Sequence, residues 1–221
     1  MGRKIFITAT DTNAGKTYVT SRLVQSLLQQ KKPALAIKPV ACGTSPGETN
    51  EDVVSLMQAQ KISDSNHINL YDFAVPAAPS LAAAEAGKEI DPRRLIRWCN
   101  VRTDESEICL IEGVGGLMVP LTNHYLVSDW LTDLKSCEIM LVIGVRLGCI
   151  NHAILTLKQL SRMQCPPDYI VINALDQSSD SEQVRLALNA YLPKNASVHV
   201  IPNLGSDEVF HDLAKVIVAN K

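Results

Sequence analysis

The chain has 221 residues, of which 46% are apolar and 20% charged, a balance that excludes disorder and allows one well-filled core. Its net charge of −2 offers no electrostatic footprint for nucleic acid. The longest apolar run, Ile139 to Val145, is far too short to cross a bilayer, so no membrane partner is expected.

Read in chain order, Lys4 to Thr8 predicts a first strand and Lys16 to Gln30 a helix with Val19, Leu23, Val24, Leu27 and Leu28 on its inner face. Pro33 ends that helix, and Leu35 to Lys38 predicts a second strand. Asp52 to Gln60 and Pro92 to Asn100 carry helical patterns, Ile108 to Ile111 and Ile139 to Val145 are buried strands, and Ile150 to Met163 is a helix. Tyr169 to Ile172 is a strand, Ser181 to Leu192 a helix, Val198 to Ile201 a short strand and Asp207 to Ala219 a closing helix. Strands without strict alternation, separated by helices, predict a doubly wound α/β fold with a mostly parallel sheet covered on both faces. No Ser/Gly-rich linker or repeat interrupts it, so residues 1–221 are expected to form a single domain.

The start of the chain fits no signal peptide, and Phe6 stands where a myristoylation pattern needs Ser or Thr. The six cysteines form no CxxC and no zinc spacing, and Cys109 sits inside an apolar run. Free thiols in a soluble cytoplasmic protein are the expectation.

In such folds ligands bind beyond the carboxyl ends of the strands. After the first strand, Thr10-Asp11-Thr12-Asn13-Ala14-Gly15-Lys16-Thr17 leads into a helix with P-loop spacing, Thr10 replacing the first glycine. Gly15 permits a turn that aims successive N–H groups at phosphates, Lys16 reaches the β- and γ-phosphates, and Thr17 offers a hydroxyl to Mg²⁺. Lys38, in Lys38-Pro39-Val40-Ala41-Cys42-Gly43, is either a solvated lysine or one that faces the ligand crevice. Glu112, closing Ile108 to Ile111 before Gly113-Val114-Gly115-Gly116, resembles a Walker-B acid. With Thr17 and Asp52 it could supply three oxygens to Mg²⁺, although Asp52 also reads as a helix cap. Asn173, at another strand end before Ala174, is either a chain-turning residue or a reader of the adenine edge. Pro202-Asn203-Leu204 follows the last strand and could close over the base.

Together with Gly144-Val145-Arg146-Leu147-Gly148-Cys149-Ile150-Asn151-His152-Ala153, these blocks resemble the dethiobiotin synthetase family, in the same order and over most of the chain. The resemblance implies a P-loop ATPase fold of the MinD-like branch, a homodimer, and 7,8-diaminononanoate, CO₂ and MgATP as reactants. It implies that residues Asn13, Ala14, Gly15, Lys16, Thr17 and Tyr18 wrap the triphosphate and that Thr17, Asp52 and Glu112 hold Mg²⁺. Glu112, Gly113, Val114 and Gly115 would line the phosphate side, and Asn173, Ala174, Pro202, Asn203 and Leu204 the purine. Lys38, Lys16 and Thr12 form the implied catalytic set, while Lys38, Cys42, Gly148 and Asn151 form the implied substrate set. Cys42 departs from the family, which usually has a hydroxyl residue there, and a base-binding acid matching Glu208 is left unplaced. A regulatory ATPase of the MinD or partition type is the alternative. Against it, Asp11 stands where those proteins carry a second lysine, and the last helix is mixed in charge rather than basic.

Overall fold

The computed structural model describes residues 2–203 and 205–220. In chain order the elements are β1 (Arg3–Ala9), α1 (Lys16–Gln29), β2 (Ala34–Ile37), β3 (Val40–Cys42), α2 (Glu51–Gln60), β4 (Tyr71–Phe73), α3 (Pro79–Glu85) and α4 (Pro92–Thr103). They continue with β5 (Ile108–Glu112), β6 (Pro120–Thr122), β7 (Tyr125–Leu126), α5 (Val127–Asp133), β8 (Cys137–Val145), α6 (Cys149–Arg162), β9 (Tyr169–Ala174), α7 (Ser181–Leu188), β10 (Ser197–Ile201) and α8 (Asp207–Ala219).

Six strands form one parallel sheet in the order β10-β9-β8-β1-β5-β2. Because side chains alternate along a strand, β1 feeds both faces. Ile5, Ile7 and Ala9 pack with Val19, Leu23, Val24 and Leu27 of α1 and with Phe210 and Leu213 of α8. Phe6 joins the opposite core, where its ring meets Trp130 of α5 edge to face at 4.9 Å. The predicted doubly wound sheet is what the chain adopts, with most predicted elements matched within two residues.

Several elements were not predicted. β3 and β4 pair in parallel as a separate two-stranded unit, β6 and β7 form a small antiparallel pair, and α3 and α5 are seven-residue helices. The second strand ends at Ile37, leaving Lys38 just beyond it. The predicted helix to Leu192 stops at Leu188, with Asn189 as its C-terminal cap. Among the described residues no helix is long and apolar enough to cross a membrane.

Candidate nucleotide and phosphoryl-transfer site

β1 lies between β5 and β8, so its carboxyl end opens where neighbouring connections diverge to the two sides of the sheet. The P-loop emerges there. Asn13 and Gly15 both take left-handed backbone angles, φ 60° and φ 90°, and α1 starts at Lys16 without a side-chain cap. The first N–H groups of α1 are therefore left for an anion, reinforced by the helix dipole. Space for the loop depends on Gly144 of β8, where a Cβ would come within 2.6 Å of the Ala14 Cα.

A cleft of about 680 Å³ lies over this loop. Thr12, Asn13, Gly15, Lys16, Thr17 and Tyr18 form one wall, Lys38, Cys42 and Asp52 a second, and Val114, Gly115 and Val119 a third. Pro76, Ala77, Ala78 and Pro79, which precede and open α3, close the remaining side. Tyr18 is fixed from behind, its ring edge to face with Phe210 at 5.6 Å and its hydroxyl donating to the Gly205 carbonyl at 3.4 Å.

The polar centre is a compact charged set. Lys38 Nζ donates to Glu112 Oε1 at 2.5 Å and to Asp52 Oδ2 at 2.9 Å. Thr17 Oγ1 donates to the same Glu112 oxygen at 2.7 Å. Lys38 is 4% exposed and Glu112 is fully buried, so the lysine is not the solvated residue that its sequence position also allowed. Burial disfavours charge on Lys38, but Glu112 and then Asp52 outweigh it, and its pKa is raised. Burial also works against charge on Asp52, where Lys38 prevails and holds the carboxyl below its ordinary range. The capping role in α2 falls to Asn50, whose side chain accepts from the Asp52 N–H, leaving the Asp52 carboxylate for the cleft.

Lys16 Nζ donates to the Gly115 carbonyl at 2.7 Å. Burial, with Lys38 as a second cause, pulls its pKa down to about 8. An arriving polyphosphate would supply the counter-charge it lacks. Glu112 Oε2 is buried without a hydrogen-bond partner among the described residues. With Thr17 Oγ1 and Asp52 it makes a hard oxygen set of the kind that suits a small divalent cation sharing phosphate oxygens. No group of three or more His, Cys, Asp and Glu able to hold a metal occurs among the described residues.

The structure does not bring every predicted site residue to the cleft. Gly113 sits beneath it, its N–H donating to the Ile7 carbonyl at 2.9 Å. Asn173 is buried behind Gly15 with Ala174 beside it, while Pro202 is exposed, Asn203 half-buried and Leu204 outside the described residues. Gly148, φ 90°, caps α6, and Asn151 is exposed on its first turn; neither lines the cleft of this single chain. Glu208 is exposed on the first turn of α8. Sequence reading missed Pro76 to Pro79 and Val119, which long-range packing brings in; Pro79 at the first position of a helix was the one local signal.

A family model described as an AAA domain matches residues 3–208. The ATP-dependent dethiobiotin synthetase BioD of Pseudoalteromonas translucida is 36% identical over 197 residues, covering 86% of each chain. That of Nitrosospira multiformis is 40% identical over 178 residues, 80% of this chain and 77% of the relative. Among solved structures, the MinD cell division protein of Aquifex aeolicus covers all of this chain and 98% of its own with a TM-score of 0.59 at 12% identity, a likeness of fold alone.

Proposed function

Because the chain belongs to the dethiobiotin synthetase family and is an ATP-dependent ligase of biotin biosynthesis, we propose that it converts 7,8-diaminononanoate, CO₂ and ATP to dethiobiotin, ADP and phosphate. The observation that carries this reading is Lys38, buried between Glu112 and Asp52 and lining the same cleft as the P-loop. A plain nucleotide switch has no evident use for a buried cation at that point, whereas a site that builds negative charge on a transferring phosphoryl group does.

The chemistry needs position and charge more than covalent help. A neutral amine of the substrate adds to CO₂ and releases a proton, giving a carbamate. A carbamate oxygen attacks the γ-phosphorus and ADP leaves, forming a carbamic-phosphoric mixed anhydride. The second amine, in its neutral form, then attacks the carbonyl carbon and releases a proton, and phosphate departs with the oxygen that had joined carbon to phosphorus. Both amines belong to one molecule, so the five-membered ring closes without a second encounter. Asn13 to Tyr18 wrap the triphosphate, Lys16 takes the β- and γ-phosphates, and Lys38, with Thr12 nearby, faces the transferring group and carbamate. Glu112 to Gly115 border the phosphates, and Asn173 and Ala174, with Pro202, Asn203 and Leu204, take the adenine side. Thr17, Asp52 and Glu112 would hold Mg²⁺, which when bound neutralises phosphate charge. The whole chain acts as one domain. The direct test is incubation with diaminononanoate, bicarbonate and MgATP: one ADP per product carrying an added carbonyl is expected, and ADP release independent of the diamine would refute the reading.

The substrate's carboxylate tail has Gly148 and Asn151 as its proposed partners, and a homodimer accounts for their lying outside the single-chain cleft. Around them Leu147 is wholly exposed, Leu155 is 59% and Met118 52% exposed, an apolar surface suited to a second copy. Light scattering at assay concentration should show a dimer. A fully active monomer would contradict this assembly.

Cys42 lines the cleft but is not proposed as a nucleophile. Burial pushes its thiol up to about 11 despite the opposing influence of Lys38, so the thiolate is scarce at neutral pH. A thiol in place of a hydroxyl weakens one contact by about 0.5–1.5 kcal/mol. Cys42→Ser should accordingly keep kcat/KM for the diamine within about tenfold of wild type, or raise it. A loss beyond a hundredfold (about 2.7 kcal/mol) would give the thiol a chemical role.

A further inference from the structure

Asn50 is 8% exposed and is not among the residues that line the cleft, yet its side chain ties two of the walls together. Its Oδ1 accepts from the Asp52 N–H at 3.1 Å. Its Nδ2 donates to the Cys42 carbonyl at 3.3 Å and to Thr44 Oγ1 at 3.1 Å. The amide cannot be turned end for end, because a backbone N–H only donates and a carbonyl only accepts. Thr44, itself buried, donates in turn to Asp72 Oδ1 on β4, the strand paired with β3. Residues 45–49 between these anchors are exposed, so Asn50 closes a surface loop at its base.

A helix cap uses only the first of these bonds. The others act on the facing segment. The Cys42–Gly43 peptide is gripped on both sides, its C=O by Asn50 and its N–H by the Phe73 carbonyl at 2.9 Å. Gly43 then turns the chain with φ 88°, where a Cβ would stand 3.3 Å from Pro76 Cβ, so this peptide lies against the Pro76 side of the cleft. At the other end of the amide, Asp52 is the second residue of α2, and its carboxylate accepts from Lys38 Nζ at 2.9 Å. A slip of α2 by one residue would rotate that carboxylate by about 100° around the helix axis.

We propose that Asn50 is a positioning residue for the ligase reaction: its one amide holds the Lys38–Asp52 set and the Cys42 wall at a fixed spacing. The carbamate and the phosphoryl group it attacks meet between these faces, where a misplacement of about 1 Å is costly. This rests on the reaction proposed above.

Two variants separate this role from capping. Asn50→Asp and Asn50→Ser both keep an acceptor for the Asp52 N–H and rank with Asn as caps, but neither carries a donor that reaches the Cys42 carbonyl. Amide hydrogen exchange of the full-length, nucleotide-free protein needs no catalysis. Exchange at Gly43 and Thr44 should rise about tenfold or more in both variants, with α2 and β1 as protected as in wild type. Unchanged exchange at those two amides would overturn the inference. Kinetics with diaminononanoate, bicarbonate and MgATP form the second test. In both variants kcat should fall about tenfold or more and KM for the diamine should rise, while the Kd of ADP stays within a few-fold. A residue that only capped α2 would be rescued by Asp and by Ser, and wild-type kcat and KM in these variants would overturn the inference. An equal loss of ADP affinity would mean general disruption of the site and would overturn it too. If the wild type forms no dethiobiotin, the functional reading fails, while the exchange result still decides whether Asn50 fixes the two walls.

Discussion

Replacing Lys38 with Ala is expected to lower kcat by ~10²–10³ while nucleotide affinity stays within a few-fold, the scale of losing one preorganised charge-stabilising donor. The split follows from the geometry. In the proposed site phosphate binding rests on the backbone of the P-loop and on Lys16, whereas Lys38 enters the cleft from just beyond β2, held by Glu112 and Asp52. Removing it leaves Glu112 fully buried with no cationic partner, a change that costs about 3–5 kcal/mol when a buried pair is broken. Kinetics of the variant should therefore be read well below its own melting temperature, with folded protein confirmed. Equilibrium binding of a non-hydrolysable ATP analogue separates the two roles. Collapse of affinity with normal turnover at saturation would make Lys38 a binding residue.

The other large effect comes from a single methyl group. Gly144→Ala is expected to weaken nucleotide binding by about a hundredfold, the scale of displacing a positioned group by about 1 Å. The added Cβ would stand 2.6 Å from the Ala14 Cα and 3.1 Å from its Cβ. Both are parts of the P-loop that no rotamer change can move aside. The neighbouring strand-end residue Asn173 holds the Ala14 carbonyl, so the loop cannot retreat without breaking that bond as well. Titration with ADP and with the ATP analogue should show both affinities falling together. Wild-type affinity in this variant would mean that the close approach of β8 does not set the loop's shape.

The central sheet was legible in the sequence because its strands are unbroken apolar runs. The P-loop was legible because Gly-Lys-Thr stands between such a run and a 3.6-residue pattern. Glu112 could be placed for the same reason, at the end of Ile108 to Ile111. What escaped were pieces too short to show a period. The seven-residue α5 carries Trp130, fully buried against Phe6, yet its start depends on a local bond in which the Leu126 N–H donates to Asp129 Oδ2 at 2.8 Å. α3 and the Pro76–Pro79 wall reach the cleft only through tertiary packing. Asp52 was ambiguous because a carboxylate near a helix start serves equally as cap or ligand. The structure separates the two by giving the cap to Asn50. For Asn173 the sequence leaves open a chain-turning residue or a reader of the base, and its bond to Ala14 joins residues 159 apart and has no local trace.

We propose that the chain activates a carbamate by phosphorylation, with no covalent enzyme intermediate. Bicarbonate carrying ¹⁸O, supplied with diaminononanoate and MgATP in unlabelled water, tests it when the products are read before the label exchanges with solvent. One labelled oxygen is expected in the inorganic phosphate for each dethiobiotin formed, with a second retained in the ureido carbonyl. Phosphate that carries oxygen from water alone, or a phosphorylated protein trapped during turnover, would contradict it.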